Sequence, residues 1–407
     1  MTQIAPAHQG VELAPRGSLT LAFSLGHLAN DWAPAAIWLL APAIAIAMGL
    51  TPAEVGLLIT IHSLGAALAY LPAGLLADRV SARGGLLIAT FWWVAAGYVV
   101  ASFAPGFWTL AILLAIAGMG DAAWHPIATG ILTQNSPKRR AHVLGLHAIG
   151  GTMAEVLAPL SVGFLLAWFD WQQVLQISVI PALLGGIAFF WIRRHVPRSS
   201  ATAISRGDIG ALWRVWRSFK GMQLIALISF YNMALIALLS MTPLYLQNAH
   251  GLSAGVTGTV FAAMLLVGAL LQPYIGLVSD RVGRRVVFLS GNLLAALAAG
   301  TIVLLGDISV IVIIALLIVA ASALVGVRSA GLAATVDFVG QREATTLGLA
   351  FALMDGVGAL GGALAGIAAS FSLAYAFIVA AVLAFGSVLV GLTMPLTTSD
   401  VLREPSG

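Results

Sequence analysis

A short charged turn occurs twice in this chain, each time directly after a long apolar run. The first copy runs from Gly74 to Arg83, and the second runs from Gly276 to Arg285, 202 residues later. That offset is about half the length of the 407-residue chain. Self-similarity at a fixed spacing indicates internal duplication. The sequence therefore predicts two related halves, each carrying the turn at the same place.

The composition excludes a chain that mostly faces water. Hydrophobic residues make up 60% of it and charged residues only 8%, whereas soluble domains carry roughly a quarter charged residues. There is no Cys, which excludes disulfides and thiol chemistry. The first apolar run is too long for a signal peptide. We predict an all-α polytopic membrane protein with twelve spans at about 19–48, 53–76, 85–103, 107–131, 141–167, 172–192, 221–247, 254–278, 286–305, 309–333, 343–369 and 371–395.

The cations mark one side of the predicted membrane. With these spans, eighteen of the 19 Lys and Arg fall at one edge, and the loops at the other edge contain none. The positive-inside rule makes this Arg-rich face cytoplasmic, with both termini inside, and we expect a bacterial inner-membrane protein. The net charge of +4 is therefore an orientation signal, and no nucleic-acid partner is predicted.

The longest polar interruption separates the two predicted six-helix halves. It covers residues 196–220, between an N-terminal half at 1–195 and a C-terminal half with its tail at 221–407. Within it, residues 209–219 alternate Trp and Leu with Arg. Either a helix at the level of the lipid headgroups or a plain structured linker fits this pattern.

Four carboxylates fall near the middle of predicted spans, at Asp31, Asp121, Glu155 and Asp355. A charge at the bilayer centre costs on the order of 2.5–3.5 kcal/mol on insertion scales, so each needs a partner, a proton or a function. We treat all four as candidates for proton coupling.

Two of these carboxylates have a histidine one helical turn away. His27 precedes Asp31 by four residues, and His125 follows Asp121 by four, so each pair shares a helix face. Carboxylate–imidazole pairs are suited to proton exchange, and these two are the leading candidates. A packing role stays open for both: Asp31 could simply bond Asn30 or a neighbouring span, and His125 could satisfy a carbonyl freed by the proline after it.

Arg328 is the one cation not assigned to the Arg-rich edge. It could bind an anionic substrate, pair with a carboxylate such as Asp121 or Asp355, or extend to the membrane surface. Asn232 repeats Asn30 at the 202-residue offset. The remaining substrate-binding candidates are polar or aromatic side chains of the spans, namely Asn30, Trp124, Tyr231, Asn232 and Gln272.

The second turn follows the pattern Gly-x-x-x-Asp-Arg-x-Gly-Arg-Arg, and the first departs from it at Ser81 and Ala82. This pattern resembles the signature loop of the major facilitator superfamily. A carboxylate at a helix end can pair with Arg and with neighbouring helix termini, so the turns could act as a gate on the cytoplasmic side. The alternative is that they only mark the membrane boundary. The gate candidates are Asp78, Arg79, Arg83, Asp280, Arg281, Arg284 and Arg285.

Other motifs resemble one branch of that superfamily. Gly26-His27-x-x-Asn30-Asp31 in span one and His125-Pro126 in span four are similar to the fosmidomycin-resistance-like proteins. In span five, Gly145, Ala154, Ala158-Pro159 and Gly163 have the spacing of the antiporter-associated Gly-Pro motif, with Ala at several of its Gly positions. The resemblance implies proton-driven efflux of a small organic molecule.

We therefore expect a proton-coupled exporter of a small organic compound, with Arg328 available to bind a cargo that is anionic. The alternatives are a proton-coupled importer of an organic acid or nutrient, and a receptor or assembly factor that transports nothing. No Walker loop, metal-ligand motif or nucleophile elbow occurs, so neither an enzyme nor a cofactor or metal is predicted. The expected partners are the substrate, protons and the lipid bilayer, and the expected state is a monomer.

Overall fold

The computed structural model describes residues 16–136, 139–198, 214, 216–305, 309–339 and 343–394. In this part of the chain, twelve helical segments are long and apolar enough to cross a membrane, as predicted. In chain order they are α1 (Arg16–Met48), α2 (Pro52–Arg79), α3 (Arg83–Ala101), α4 (Phe107–Asn135), α5 (Arg140–Leu165), α6 (Trp171–Ser178 and Ile180–Ile192), α7 (Phe219–Asn248), α8 (Ala254–Val282), α9 (Arg284–Leu304), α10 (Val310–Val339), α11 (Glu343–Gly358 and Leu360–Ala369) and α12 (Tyr375–Thr393). The protein is a multi-pass membrane protein.

Two of the twelve helices are interrupted, and local sequence explains both breaks. The second segment of α6 has Pro181 in its first turn. Proline has no backbone N–H to donate to the preceding turn, so the helix is interrupted just before it. In α11 the break falls at Ala359, within a run of glycines that weakens the helix. The Ala359 carbonyl accepts a hydrogen bond of 2.7 Å from Thr60 of α2. This break therefore ties α11 to the other half of the protein.

Two large hydrophobic cores, one for each half, hold most of the helices together. One core is built from α1 to α6, with Ile236 of α7 packed against it. The other is built from α7 to α12, with a few side chains of α1, α2 and α5 at its edge. Trp216, just before α7, is buried against this second core. Most of the linker predicted at 196–220, including most of its amphipathic segment, lies outside the described residues.

The halves pack tightly near the face opposite the Arg-rich one. Gly163, near the end of α5, approaches the start of α8 so closely that a Cβ on it would lie 2.6 Å from the Ala254 carbonyl oxygen. At the start of α2, Gly56 approaches Gly362 of α11 in the same way. Small residues are what allow membrane helices to come this close. This side of the interface is closed.

At mid-depth, by contrast, polar side chains are exposed between the halves. The side chain of Glu155 on α5 is 42% exposed, and that of Arg328 on α10 is 34% exposed. Since the opposite side is closed by close helix packing, this exposure comes from a central space that opens toward the Arg-rich face. In this structure the space between the halves is thus closed on one face and open on the other.

We predict that Gly163→Ala destabilises this state. The added methyl group meets the Ala254 carbonyl, and overpacking of this kind costs on the order of 1–3 kcal/mol. Gly145→Ala, on the same helix, is the matched control, because a Cβ there meets no atom within 4 Å. Thermal unfolding in detergent should show a lower melting temperature for Gly163→Ala alone. Equal melting temperatures for the two variants would contradict the tight α5–α8 contact.

Candidate functional site

Two histidines and an aspartate meet at the centre of the N-terminal half. His27 and Asp31 lie one turn apart on α1, and His125 reaches them from α4. The His27 Nε2 lies 3.0 Å from Asp31 Oδ2, and the His125 Nε2 lies 4.0 Å from Asp31 Oδ1. His125 is also 4.0 Å from Asp121 Oδ2 on its own helix. The structure therefore joins the two predicted carboxylate–imidazole pairs into one cluster.

The hydrogen bonds of His27 fix where its protons are. Its Nδ1 lies 2.9 Å from the backbone carbonyl oxygen of His147 on α5. A carbonyl can only accept, so Nδ1 carries a proton and donates it. In a neutral ring the Nε2 then has only a lone pair, and this lone pair faces an oxygen of Asp31. Two acceptors at this distance need a cation between them, and a single proton shared by His27 and Asp31 supplies it.

Asn30 brings the second carboxylate of the cluster into place. Its Nδ2 donates to Asp121 Oδ1 at 2.8 Å and lies 3.4 Å from Asp31 Oδ1. One amide group thus bridges Asp31 and Asp121, which would otherwise repel each other. The side chain of Asn30 is fully buried, so this bridge is shielded from competing water.

The same cluster offers donors of the kind that bind transition metals. One donor atom each from His27, Asp31 and His125 lies within 4.8 Å of the others. A histidine that binds a metal commonly donates its other ring N–H to a backbone carbonyl, as His27 does here. The shared proton needs only the His27–Asp31 pair, whereas a metal ion would draw all three side chains together.

Two polar contacts join the halves at the level of this cluster. The hydroxyl of Tyr70 on α2 donates to Asp355 Oδ2 on α11 at 2.5 Å. Arg328 Nη1 on α10 lies 3.8 Å from Glu155 Oε1 on α5. Arg328 thus pairs with a carboxylate, which was one of its predicted alternatives, but the carboxylate is Glu155 and not Asp121 or Asp355. Asn30 and Tyr70 bind those two carboxylates, and the long Arg328 side chain reaches Glu155 across the central space.

The cluster and the two cross-half contacts line a space that is accessible to solvent. The side chains of Asp31 and Asp121 are each 16% exposed, and those of Glu155 and Arg328 are considerably more exposed. Four carboxylates of four different helices and one guanidinium of a fifth thus face the same region at mid-membrane depth. Ionisable groups at this depth mark ion and substrate pathways in membrane proteins.

Three of the substrate candidates take part in packing instead. Trp124 is fully buried among Phe23, Phe91 and Phe189, so it does not line the central space in this state. Tyr231 is buried and donates to the Leu324 carbonyl.

Asn232 follows the same pattern, since it is buried and donates to the Met354 carbonyl of α11. Asn30 and Asn232 occupy equivalent positions in the two halves, but Asn30 donates to a carboxylate and Asn232 donates to a backbone carbonyl. Of the remaining candidates in the C-terminal half, Gln272 is half-buried on α8, and Arg328 faces the central space.

The contacts described for the charged turns do not cross between the two halves. Arg83 is buried and donates to the Pro197 carbonyl at 3.4 Å. Arg285 donates to the Leu392 carbonyl of α12, and Arg284 lies 3.9 Å from Asp280 in the same turn. Arg79 and Arg281 are exposed, and Asp78 is partly buried. A gate between the halves stays a prediction for the state that is closed on the Arg-rich face.

Sequence reasoning missed Tyr70 and undervalued His147. Tyr70 carries one of the cross-half contacts, and the only sequence signal was a lone phenol within a membrane span, where it needs a partner. The ring of His147 stacks on His27 with centroids 4.2 Å apart, and the His147 carbonyl fixes the protonation of His27 Nδ1. A backbone carbonyl leaves no sequence signal.

Comparisons with known proteins assign the chain to a family. The family model of the Major Facilitator Superfamily matches residues 23–257 and 243–406, which together cover nearly the whole chain. A crystal structure of a bacterial homolog of the human lysosomal transporter Spinster, in an inward-facing and occupied conformation, has a TM-score of 0.73. It is 20% identical and covers 93% of this chain and 95% of that one.

Two curated relatives are similar over part of their length. The probable 4-methylmuconolactone transporter of Cupriavidus pinatubonensis is 31% identical over 40% of this chain and 38% of its own length. The probable sulfoacetate transporter SauU of Cupriavidus necator is 26% identical over 65% of this chain and 64% of its own. The matches therefore span less than two thirds of each relative.

The protonation of His27 can be tested directly. In protein labelled with ¹⁵N-histidine, the ring signals of His27 are identified as those that disappear in His27→Gln. We predict that these signals show a protonated, hydrogen-bonded Nδ1. The reason is that Nδ1 faces a carbonyl oxygen, which cannot donate. His62→Gln is the matched control, because His62 bonds Tyr98 away from the cluster. An unprotonated Nδ1 would contradict the shared-proton assignment.

Proposed function

We propose that this chain, which belongs to the Major Facilitator Superfamily, is a proton-coupled secondary transporter of a small organic compound. The observation that carries the proposal is the pair of facing acceptors on His27 and Asp31, 3.0 Å apart at mid-membrane depth. A proton bound there is needed for the contact to exist, and it can be gained or lost as the central space opens to one side or the other. The Arg-rich face is proposed to be cytoplasmic.

Coupling requires that protonation change the balance between the two states of the protein. The proton-binding pair lies on α1, packed against α4 and α5 through His125 and His147. Loss of the proton leaves two acceptors facing each other, which pushes His27 away from Asp31. Since α5 carries both the carbonyl that holds His27 and the carboxylate of Glu155, such a movement reaches the contact with the other half.

The proposed transport cycle is alternating access between two rocking halves. To open the opposite face, the close contacts of α5 with α8 and of α2 with α11 must separate, and Tyr70 must release Asp355. The charged turns, including Arg83 and Arg285, would then approach each other on the Arg-rich face. This is the state in which the proposed gate would form.

The cargo we propose is a small organic acid. The central space presents Arg328 among carboxylates, and one relative bears the name of a sulfoacetate transporter. The antiporter-like spacing in α5 and the resemblance of α1 and α4 to fosmidomycin-resistance-like proteins favour export. Import of an organic acid is the alternative direction.

We predict that Asp31→Asn abolishes transport driven by a pH gradient in proteoliposomes. An amide cannot exchange the proton that the His27–Asp31 pair holds, so the driven rate should fall at least about tenfold, equivalent to about 1.4 kcal/mol. Asp121→Asn should also reduce the rate, because it alters the Asn30 bridge. Glu54→Gln is the control, since Glu54 only caps the start of α2 at the membrane surface.

The same assay separates the alternatives. Accumulation inside vesicles that are alkaline inside supports import, and extrusion with proton uptake supports export. Candidate compounds that bind without any pH-dependent flux would instead favour a receptor or assembly factor. Unchanged flux in both Asp31→Asn and Asp121→Asn would show that the proton sites are wrongly assigned.

A conformational prediction follows from the Tyr70–Asp355 contact. Tyr70→Phe removes a hydrogen bond to a carboxylate that holds the halves together in this state, at a cost of about 1.5–3 kcal/mol. The protein should shift toward the state closed on the Arg-rich face. Because the chain has no Cys, spin labels at Ser81→Cys and Val282→Cys can report a shorter distance between the two turns.

The control for this measurement is Tyr98→Phe, which removes a hydrogen bond to His62 inside the N-terminal half. It should leave the distance between the labels unchanged. The same distance distribution for Tyr70→Phe and for the unmodified protein would show that the Tyr70–Asp355 contact does not hold this state.

A further inference from the structure

The guanidinium of Arg328 has an unusual environment for a group at this depth. Glu155 Oε1 lies 3.8 Å from Nη1, which is beyond hydrogen-bonding distance. Among the residues that the structure describes, the guanidinium makes no hydrogen bond at all. Arginine has five N–H donors in a planar fork. The donors on the exposed part of this side chain are therefore open to an acceptor that enters the central space.

An anionic solute can outcompete Glu155 for this guanidinium. The contact with Glu155 joins one nitrogen to one oxygen, and both side chains are exposed to the central space. Exposed ion pairs of this kind are weak. A carboxylate or sulfonate free to orient can instead form two parallel N–H···O bonds with the fork, which is the strongest geometry for such a pair.

We infer that Arg328 binds the anionic group of the cargo and that Glu155, once displaced, takes up one proton. The inference deepens the proposed function and rests on it. The cargo class is an organic compound with a carboxylate or sulfonate group. The proton comes from solvent in the central space and binds a Glu155 carboxylate oxygen, and it returns to solvent when the cargo leaves and Arg328 pairs with Glu155 again.

Charge balance is the reason for the proton. The empty pair is neutral, whereas Arg328 with both an anion and ionised Glu155 carries a net negative charge. The groups that act electrostatically on Glu155 include two more carboxylates, so nothing nearby offsets this charge except His27. The charged or titratable groups around Glu155 are Asp31 and His27 on α1, Tyr231 on α7, Arg328 on α10 and Asp355 on α11. One proton on Glu155 restores neutrality.

This exchange sets the direction of coupling. Anion and proton are bound at the same time, so they cross the membrane together as a symport, and an inward proton gradient drives import. If proton and cargo competed for one group, the result would be antiport. The pair also joins α5 to α10 across the two halves. Anion binding therefore removes a cross-half contact at the same moment that it loads the proton.

The anion site can be tested by binding alone. The probes are sulfoacetate and a panel of small carboxylates, each compared with its uncharged amide, and the readout is the melting temperature of the purified full-length protein in detergent. We expect anions to raise it and amides not to. Arg328→Gln should abolish the stabilisation by anions. Arg328→Lys, which lacks the planar fork, should raise the Kd for the anion about tenfold. Arg198→Gln, an exposed cation after α6, is the control.

Three binding results would overturn the anion site. They are a panel in which no anion stabilises the protein, equal stabilisation by anions and amides, and unchanged anion stabilisation of Arg328→Gln. Arg328→Lys guards against a misfolded variant, because it keeps the positive charge. If Arg328→Gln does not fold, Arg328→Lys is expected to fold and still tests the site. Binding needs no transport, so these results stand apart from the test of the proposed function.

Glu155→Gln tests the proton. The anion that stabilises best is used in proteoliposomes, in counterflow without a pH gradient and in uptake with one. We expect Glu155→Gln to keep counterflow, while its rate of pH-driven uptake falls at least about tenfold. Both rates should be unchanged in Glu54→Gln. Full pH-driven uptake by Glu155→Gln would overturn the role of Glu155. Absence of pH-driven flux in the unmodified protein would overturn the proposed function instead.

Discussion

The chemistry of the site depends on the hydrogen bond from His27 Nδ1 to the carbonyl of His147. It forces the other ring nitrogen of His27 to face Asp31 with a lone pair unless a proton is present, 3.0 Å from the carboxylate. A backbone carbonyl cannot change its role, so the arrangement does not adapt by switching tautomer. The proton is therefore a structural component of this state, and its gain or loss has a mechanical consequence.

The membrane environment strengthens the effect of gaining or losing this proton. Charged groups are costly in the bilayer interior, so the carboxylates of this region must each be matched by a donor, a cation or a proton. Asp121 is matched by Asn30, Asp355 by Tyr70 and Glu155 by Arg328. Two of these matches cross between the halves. A change in one protonation state thus alters the contacts that decide which face is open.

The fold was largely predictable from the sequence, because twelve apolar runs separated by charged or glycine-containing turns leave few arrangements in a bilayer. The His27–Asp31 contact was predictable too, since it depends only on helix periodicity. The pairing of Arg328 with Glu155 was not, because a long side chain can reach several carboxylates and the choice depends on how the halves pack. For the same reason, the burial of Trp124 among aromatic rings could not be distinguished from a place in the central space.

The central claim is that cargo and protons move together through one site. The most direct measurement imposes a gradient of the bound anion across proteoliposomes at equal pH on both sides and records lumenal pH and cargo at the same time. The account predicts that lumenal pH falls as the anion enters, with at least one proton entering for each anion. Anion entry at an unchanged lumenal pH would contradict it.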